Sequence, residues 1–132
     1  MSSQELDVLE ANSAFYAAFA ARDLDAMEAL WAREAPVACV HPGWDALRGR
    51  EEVMASWRAI LSGNAPRLAC SAASAHVAGE VAFVICHERL PGGQRLVATN
   101  VFVRERGAWR MCHHQAGPLN QEEGEAPPGA EA

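Results

Sequence analysis

The chain has 132 residues, a formal charge of −6, and eleven basic residues that are all Arg. That length holds one domain with room for a short tail, and it buries about two-thirds of its unfolded surface, so neither disulfide nor metal staples are required. Glu122, Glu123, Glu125 and Glu131 place four of the six net negative charges in the last twelve residues, and the near-neutral remainder lacks the basic face of a nucleic-acid binder.

Ser2-x-x-Glu5 reads as a capping box that opens a helix running to about Arg22. Leu6, Leu9, Tyr16 and Phe19 recur at helical spacing, with Phe15 beside them and alanine filling the gaps. Asp23 caps a second, short helix carrying Leu24, Met27, Leu30 and Trp31. Pro36 ends it. Residues 37–41 read as a strand stopped by Pro42-Gly43, which places His41 in extended geometry at the strand's exit. After a loop over 44–49, a third helix over about 50–62 carries Val53, Met54, Trp57, Ile60 and Leu61, with Gly63 as its stop. From Arg67 to Gly117 the chain reads as four antiparallel strands, about 67–78, 80–90, 95–105 and 108–116, parted by Gly79, Pro91-Gly-Gly93 and Arg106-Gly107. Residues 121–132 read as an acidic, disordered tail after a single domain over 1–120. Helices first and a meander second define an α+β domain.

The hairpins suggest a register. A two-residue turn at Arg106-Gly107 sets Asn100 opposite His113, Phe102 opposite Met111 and Arg104 opposite Trp109. A four-residue turn over 91–94 sets Ile85 beside Asn100 and Phe83 beside Phe102. One sheet face then carries Phe83, Ile85, His87, Asn100 and His113, and the other carries Val84, Cys86, Cys112 and His114. A slip of one residue exchanges His113 with His114. Both faces of the strands are apolar, more than three helices can cover. The outer face is therefore expected to meet a second copy in a homodimer.

Cys39, Cys70, Cys86 and Cys112 show no zinc spacing and read as free thiols in a reducing compartment. Neighbouring strand residues point to opposite faces, so Cys86-His87 and Cys112-His113 cannot chelate as dipeptides, and no metal or cofactor is expected. The N-terminal residues lack a basic start and apolar run, and no apolar stretch approaches the roughly 20 residues of a bilayer span, so a cytoplasmic location without membrane attachment is expected.

Several motifs together resemble the nuclear transport factor 2-like superfamily, in its SnoaL-like and ketosteroid-isomerase-like branch. They are the run FYAAFAARDLDAMEALW over 15–31, Val40-His-Pro-Gly-Trp44, Gly49, Ser56-Trp57 and the closing Gly107-Ala-Trp-Arg-Met-Cys-His-His114. The resemblance covers about residues 4–119. It implies a cystatin-like cone, in which a curved antiparallel sheet carries three N-terminal helices on its concave face around a pocket. It also aligns His41-Pro42 with the isomerases' catalytic Asp-Pro, Phe15 with their pocket Tyr, and Asn100 with their second oxyanion donor. Tyr16, the only tyrosine, lies next to Phe15. His in place of Asp, and Phe in place of Tyr, point away from steroid isomerisation itself while keeping acid–base chemistry.

The resulting expectation is a pocket for a small, apolar, carbonyl-bearing metabolite, with isomerase- or dehydratase-like chemistry. His41 would be the base, Asn100 the oxyanion donor and His113 the second acid/base. Phe15, Tyr16, Trp44 and His114 would contact substrate, Trp44 as a lid or as packing on the third helix. The alternative is the same fold used as a non-catalytic ligand-binding or dimeric association module.

Overall fold

A computed structural model of the chain describes residues 1–125. Helix α1 spans Ser3–Ala21, α2 Leu24–Leu30 and α3 Arg50–Ser62. The strands are β1 (Ala38–Val40), β2 (Leu47–Arg48), β3 (Ala69–Ala78), β4 (Val81–Arg89), β5 (Arg95–Glu105) and β6 (Ala108–Leu119). They form one curved, unclosed sheet in the order β2-β1-β6-β5-β4-β3. Only the β1–β6 pairing is parallel, and the helices lie on the concave side.

The capping box is present: the Ser2 hydroxyl accepts from the Glu5 amide, and the Glu5 carboxylate accepts from the Ser2 amide. The buried stripe of α1 differs from the expected one. It runs through Val8, Asn12, Phe15 and Phe19, while Leu6 is exposed. A reading built on apolar spacing passes over Asn12, which sits in the middle of that stripe because it has buried polar partners. Arg22 ends α1 in the left-handed region (φ 54°), and its guanidinium donates to the carbonyls of Leu61 in the last turn of α3 and of Gly63 and Ala65 beyond it. Arg50 likewise donates to the carbonyls of Glu28 in α2 and of Trp31 and Ala32 just beyond it. Arg50→Ala strips all three carbonyls of a charged donor and is expected to cost about 2 kcal/mol, read as a shift of the urea midpoint at unchanged slope.

The two hairpins correct the expected register, for different reasons. At the β5–β6 turn Arg106 (φ 51°) and Gly107 (φ 81°) make the two-residue turn as anticipated, and Phe102 faces Met111. Between Val101 and Phe102 the register then shifts, with Cys112 as the extra residue of a bulge. Beyond it Asn100 faces His114, and His113 faces Val101. The β4–β5 tip is Pro91-Gly92-Gly93, closed by Leu90 N–H to the Gln94 carbonyl at 2.8 Å, one residue tighter than expected. Every side chain of β4 therefore changes face. Ala82, Val84, Cys86 and Glu88 are buried on the concave side, and Val81, Phe83, Ile85 and His87 point outward.

The core lies between α1, α3 and the concave face, and includes Phe15, Trp31, Trp57, Phe102, Trp109 and Met111. All four cysteines are free; Cys39 and Cys86 are buried. Among the described residues no helix is long and apolar enough to cross a membrane. Of the acidic tail expected over 121–132, the first residues fold back on the sheet end, where Glu123 pairs with Arg89 and the Gln121 carbonyl accepts from Arg95. Residues 126–132 lie outside the described residues.

Candidate functional site

A cavity of about 620 Å³ opens at the mouth of the cone. Its walls come from the end of α1 (Phe19), the end of α3 (Ile60), the loop after β1, and strands β4, β5 and β6. Most of the lining is apolar. The buried polar side chains on the wall are His41, Glu88 and His114.

His41 leaves β1 just before Pro42, as its position predicted, and is 4% exposed. Its ring lies edge-on to Trp44 and Trp57, with centroids 4.9 and 4.8 Å away. Its Nε2 is 2.9 Å from the Ser56 hydroxyl, which itself donates to the Val53 carbonyl at 2.7 Å. The single hydroxyl proton is thus used, so Nε2–H of His41 donates to Ser56 and Nδ1 is left as the acceptor, with the buried Cys39 Sγ 3.9 Å from it. Burial holds His41 down at about 4, neutral at physiological pH.

His114 lies 6.4 Å from His41, centroid to centroid. Its Nδ1 is 2.5 Å from Asn100 Oδ1. The Asn100 amide nitrogen donates to Asn12 Oδ1 (2.8 Å) and to the Tyr16 hydroxyl (3.2 Å), which requires the Asn100 oxygen to be the acceptor from His114. Nδ1–H is therefore the protonated nitrogen, and Nε2 carries the lone pair of a ring that lines the cavity. Burial, followed by the neighbouring charges of His41 and His113, takes His114 down to about 3.

Tyr16 continues the chain by donating to Glu88 Oε2 at 2.6 Å. Burial first, and then the Glu88 charge, push the Tyr16 hydroxyl far above its usual range, so it remains a donor. Burial raises the Glu88 carboxyl, and the Tyr16 hydrogen bond opposes that rise. The result is one directed relay, His114 to Asn100 to Tyr16 to Glu88, whose two ends both reach the cavity wall. Polarised in a single sense, such a chain strengthens each of its links.

The structure brings His41, Trp44 and His114 together on the cavity. Trp44 is 47% exposed and covers the His41 side of the mouth. Asn100 is wholly buried behind His114 with both its donors taken, so it orients His114 rather than reaching a ligand oxygen. Phe15 also stands behind the wall, its ring 5.0 Å from that of His114. Tyr16 points inward but toward Glu88. His113 lies on the outer face, 3.3 Å from the Gln115 amide oxygen, because the Cys112 bulge turned it away. The expected reading did not include Glu88, Ser56 or Asn12. Glu88 has a visible signal, as the acid within β4 that is in phase with Ala82, Val84 and Cys86. Ser56 and Asn12 are each spaced with buried apolar neighbours on their helices.

A small α+β cone of three helices on a curved, unclosed six-stranded sheet is the architecture of the nuclear transport factor 2-like superfamily. The family model of the SnoaL-like domain matches residues 8–120, and the chain belongs to that family. It is similar to a solved structure described as a "putative dehydratase" of the same superfamily from Streptomyces avermitilis. That similarity has a TM-score of 0.81 and 33% identity, over 90% of this chain and 98% of that one. A second solved structure, described as a "putative calcium/calmodulin-dependent protein kinase type II association domain" from Thiobacillus denitrificans, is 40% identical with a TM-score of 0.74, over 83% and 93% of the two chains. The F-box protein SKIP8 of Arabidopsis thaliana is 27% identical over 115 residues, which are 85% of this chain; the chain spans about half the length of that curated relative.

Proposed function

We propose that the chain binds a small, largely apolar, carbonyl-bearing molecule in the cone cavity and moves a proton beside the carbonyl, in the manner of a dehydratase or isomerase. The observation that carries this reading is the pair of neutral histidines on the cavity wall. Each has its tautomer fixed by a partner behind it, and each keeps a lone pair. Two positioned imidazoles in a site of a few hundred Å³ can take a proton from carbon and pass it on. His41 acts as the base at the mouth, and His114 takes the acid/base role that the expected register gave to His113. The likeness to the protein described as a dehydratase supports this chemistry.

The test is proton exchange at carbon. Incubated in D2O with a panel of small apolar ketones, the protein is expected to exchange α-protons of at least one member. His114→Gln and His41→Ala should each slow that exchange by about 100-fold, a typical contribution of one positioned acid or base. Exchange equal to buffer, in a sample whose cavity still retains ligands by native mass spectrometry, refutes the chemistry.

A second reading, an association module, is favoured by the outer sheet face. Val81, Phe83, Ile85 and Val97 are each between 37 and 46% exposed on β4 and β5, and a relative 40% identical is described as an association domain. The two readings are compatible: a second copy covering that face leaves the concave cavity free. Sedimentation at micromolar concentration is expected to give a dimer, and Phe83→Glu is expected to give a monomer. The four free thiols fit a cytoplasmic location for this assembly.

A further inference from the structure

We infer that the cavity selects a cationic ligand, an apolar molecule bearing a protonated amine, with Glu88 as its counter-charge. This rests on the proposed ligand site and adds an ammonium to the carbonyl-bearing molecule proposed above, whose carbonyl oxygen is left to rim donors such as the Asn64 and Gln94 amides. Glu88 is 1% exposed, and among the described residues it forms no ion pair. None of the eleven Arg residues lines the cavity. Its Oε2 accepts from Tyr16 at 2.6 Å, the short O–H to O contact of a charge-assisted bond. Its Oε1 has no hydrogen-bond partner among the described residues. A buried carboxylate without a cation is costly, and here one of its oxygens is held while the other is left for something that enters the cavity.

The two histidines reinforce the same preference. The bond from His114 Nδ1–H to Asn100 leaves Nε2 as an acceptor, while His41, whose Nε2–H donates to Ser56, has the buried Cys39 thiol 3.9 Å from its Nδ1. Glu88 and His114 therefore each leave an acceptor for the cavity, and among the described residues no buried polar side chain on the wall offers a free donor. The side-chain amides of Asn64 and Gln94 sit at the exposed rim. A ligand group made only of donors, and positively charged, answers this wall; an ammonium is such a group. A carboxylate of the same size finds neither a charge nor a buried donor. The apolar lining, including Phe19, Ile60, Leu68 and Leu96, takes the rest of the molecule.

Three isosteric probes on one apolar body test this at neutral pH by ligand-observed NMR titration up to millimolar concentration: cyclohexylmethylamine, cyclohexylmethanol and cyclohexanecarboxylate. The amine is expected to bind at least about tenfold more tightly than the alcohol, and the carboxylate more weakly than both. Glu88→Gln keeps an oxygen for Tyr16 and should abolish the preference for the amine over the alcohol, bringing their affinity ratio to about one. Alcohol binding equal to or tighter than amine binding in the natural chain overturns the inference yet leaves the ligand site standing. So does amine affinity that survives Glu88→Gln. Absence of binding by all three overturns both. The amine-to-alcohol ratio of the natural chain decides the matter even where Glu88→Gln fails to fold.

Discussion

Asn100→Leu is expected to destabilise the fold by about 4 kcal/mol, one of the largest effects of any single substitution in this chain. The side chain is wholly buried at the centre of β5 and serves three buried neighbours at once. Its oxygen accepts from His114, and its nitrogen donates to Asn12 and to Tyr16. Leucine fills much of the same space and satisfies none of them. Each orphaned buried group costs about 1–3 kcal/mol, so three cost about 3–9 kcal/mol, and partial relaxation keeps the sum near the lower end of the latter range. For a domain of this size the expected drop in melting temperature is more than about 10 °C. Asn100→Asp separates the oxygen's role from the nitrogen's. It still accepts from His114 but turns an acceptor toward Asn12 Oδ1 and the Tyr16 oxygen, so it should destabilise while raising the His114 pKa. Thermal melts with a histidine NMR titration check both. A loss below about 1 kcal/mol in Asn100→Leu would mean that the relay is not a unit.

The same residue shows what the sequence discloses. A polar Asn in a strand of Val, Ala and Phe must face either a partner or a pocket, and that much is visible from the alternation on β5. Which histidine meets it depends on a single extra residue at Cys112, and bulges leave little trace in composition. The β4 error has the same origin. Pro91-Gly92-Gly93 signals a turn, but its length decides the face of every residue from Val81 to Arg89. Reading it one residue too long sent Glu88, the relay's acidic end, to the outside. The helices, the four-strand meander and the position of His41 rest on caps, periods and a proline, which act over a few neighbours and survive such slips, whereas the two-residue β2 inside the expected loop over 44–49 and the parallel pairing of β1 with β6 carry no local signal. Asn12 was hidden for the opposite reason: helical periodicity searches for apolar residues, and the buried stripe of α1 contains an amide.

The second large effect is on stability as pH falls. His41 and His114 have ordinary unfolded values of 6.5 and folded values of about 4 and about 3. Between these limits the unfolded chain binds more protons than the folded one, so stability is full above the unfolded value and falls as pH drops below it. From about pH 7.5 to about pH 5, each histidine removes about 2 kcal/mol, since one pKa unit is worth about 1.4 kcal/mol. Glu88 acts in the opposite sense. Burial raises its folded carboxyl above the ordinary 4.5, so its protonation favours the folded state as pH falls through that raised value. The lowered carboxyls of Glu5 and Glu105 titrate beneath this window and do not enter it. The natural chain should therefore lose up to about 4 kcal/mol over the interval, the exact loss depending on how far Glu88 offsets it. Glu88→Gln, with the offset removed, should show the steeper fall. His114→Gln should show about half the slope of the natural chain, because one of the two buried neutral imidazoles is gone. Urea midpoints measured at half-unit steps read all three slopes, and a Glu88→Gln chain equally stable at both ends would show that the two histidines take up protons as readily in the folded as in the unfolded chain.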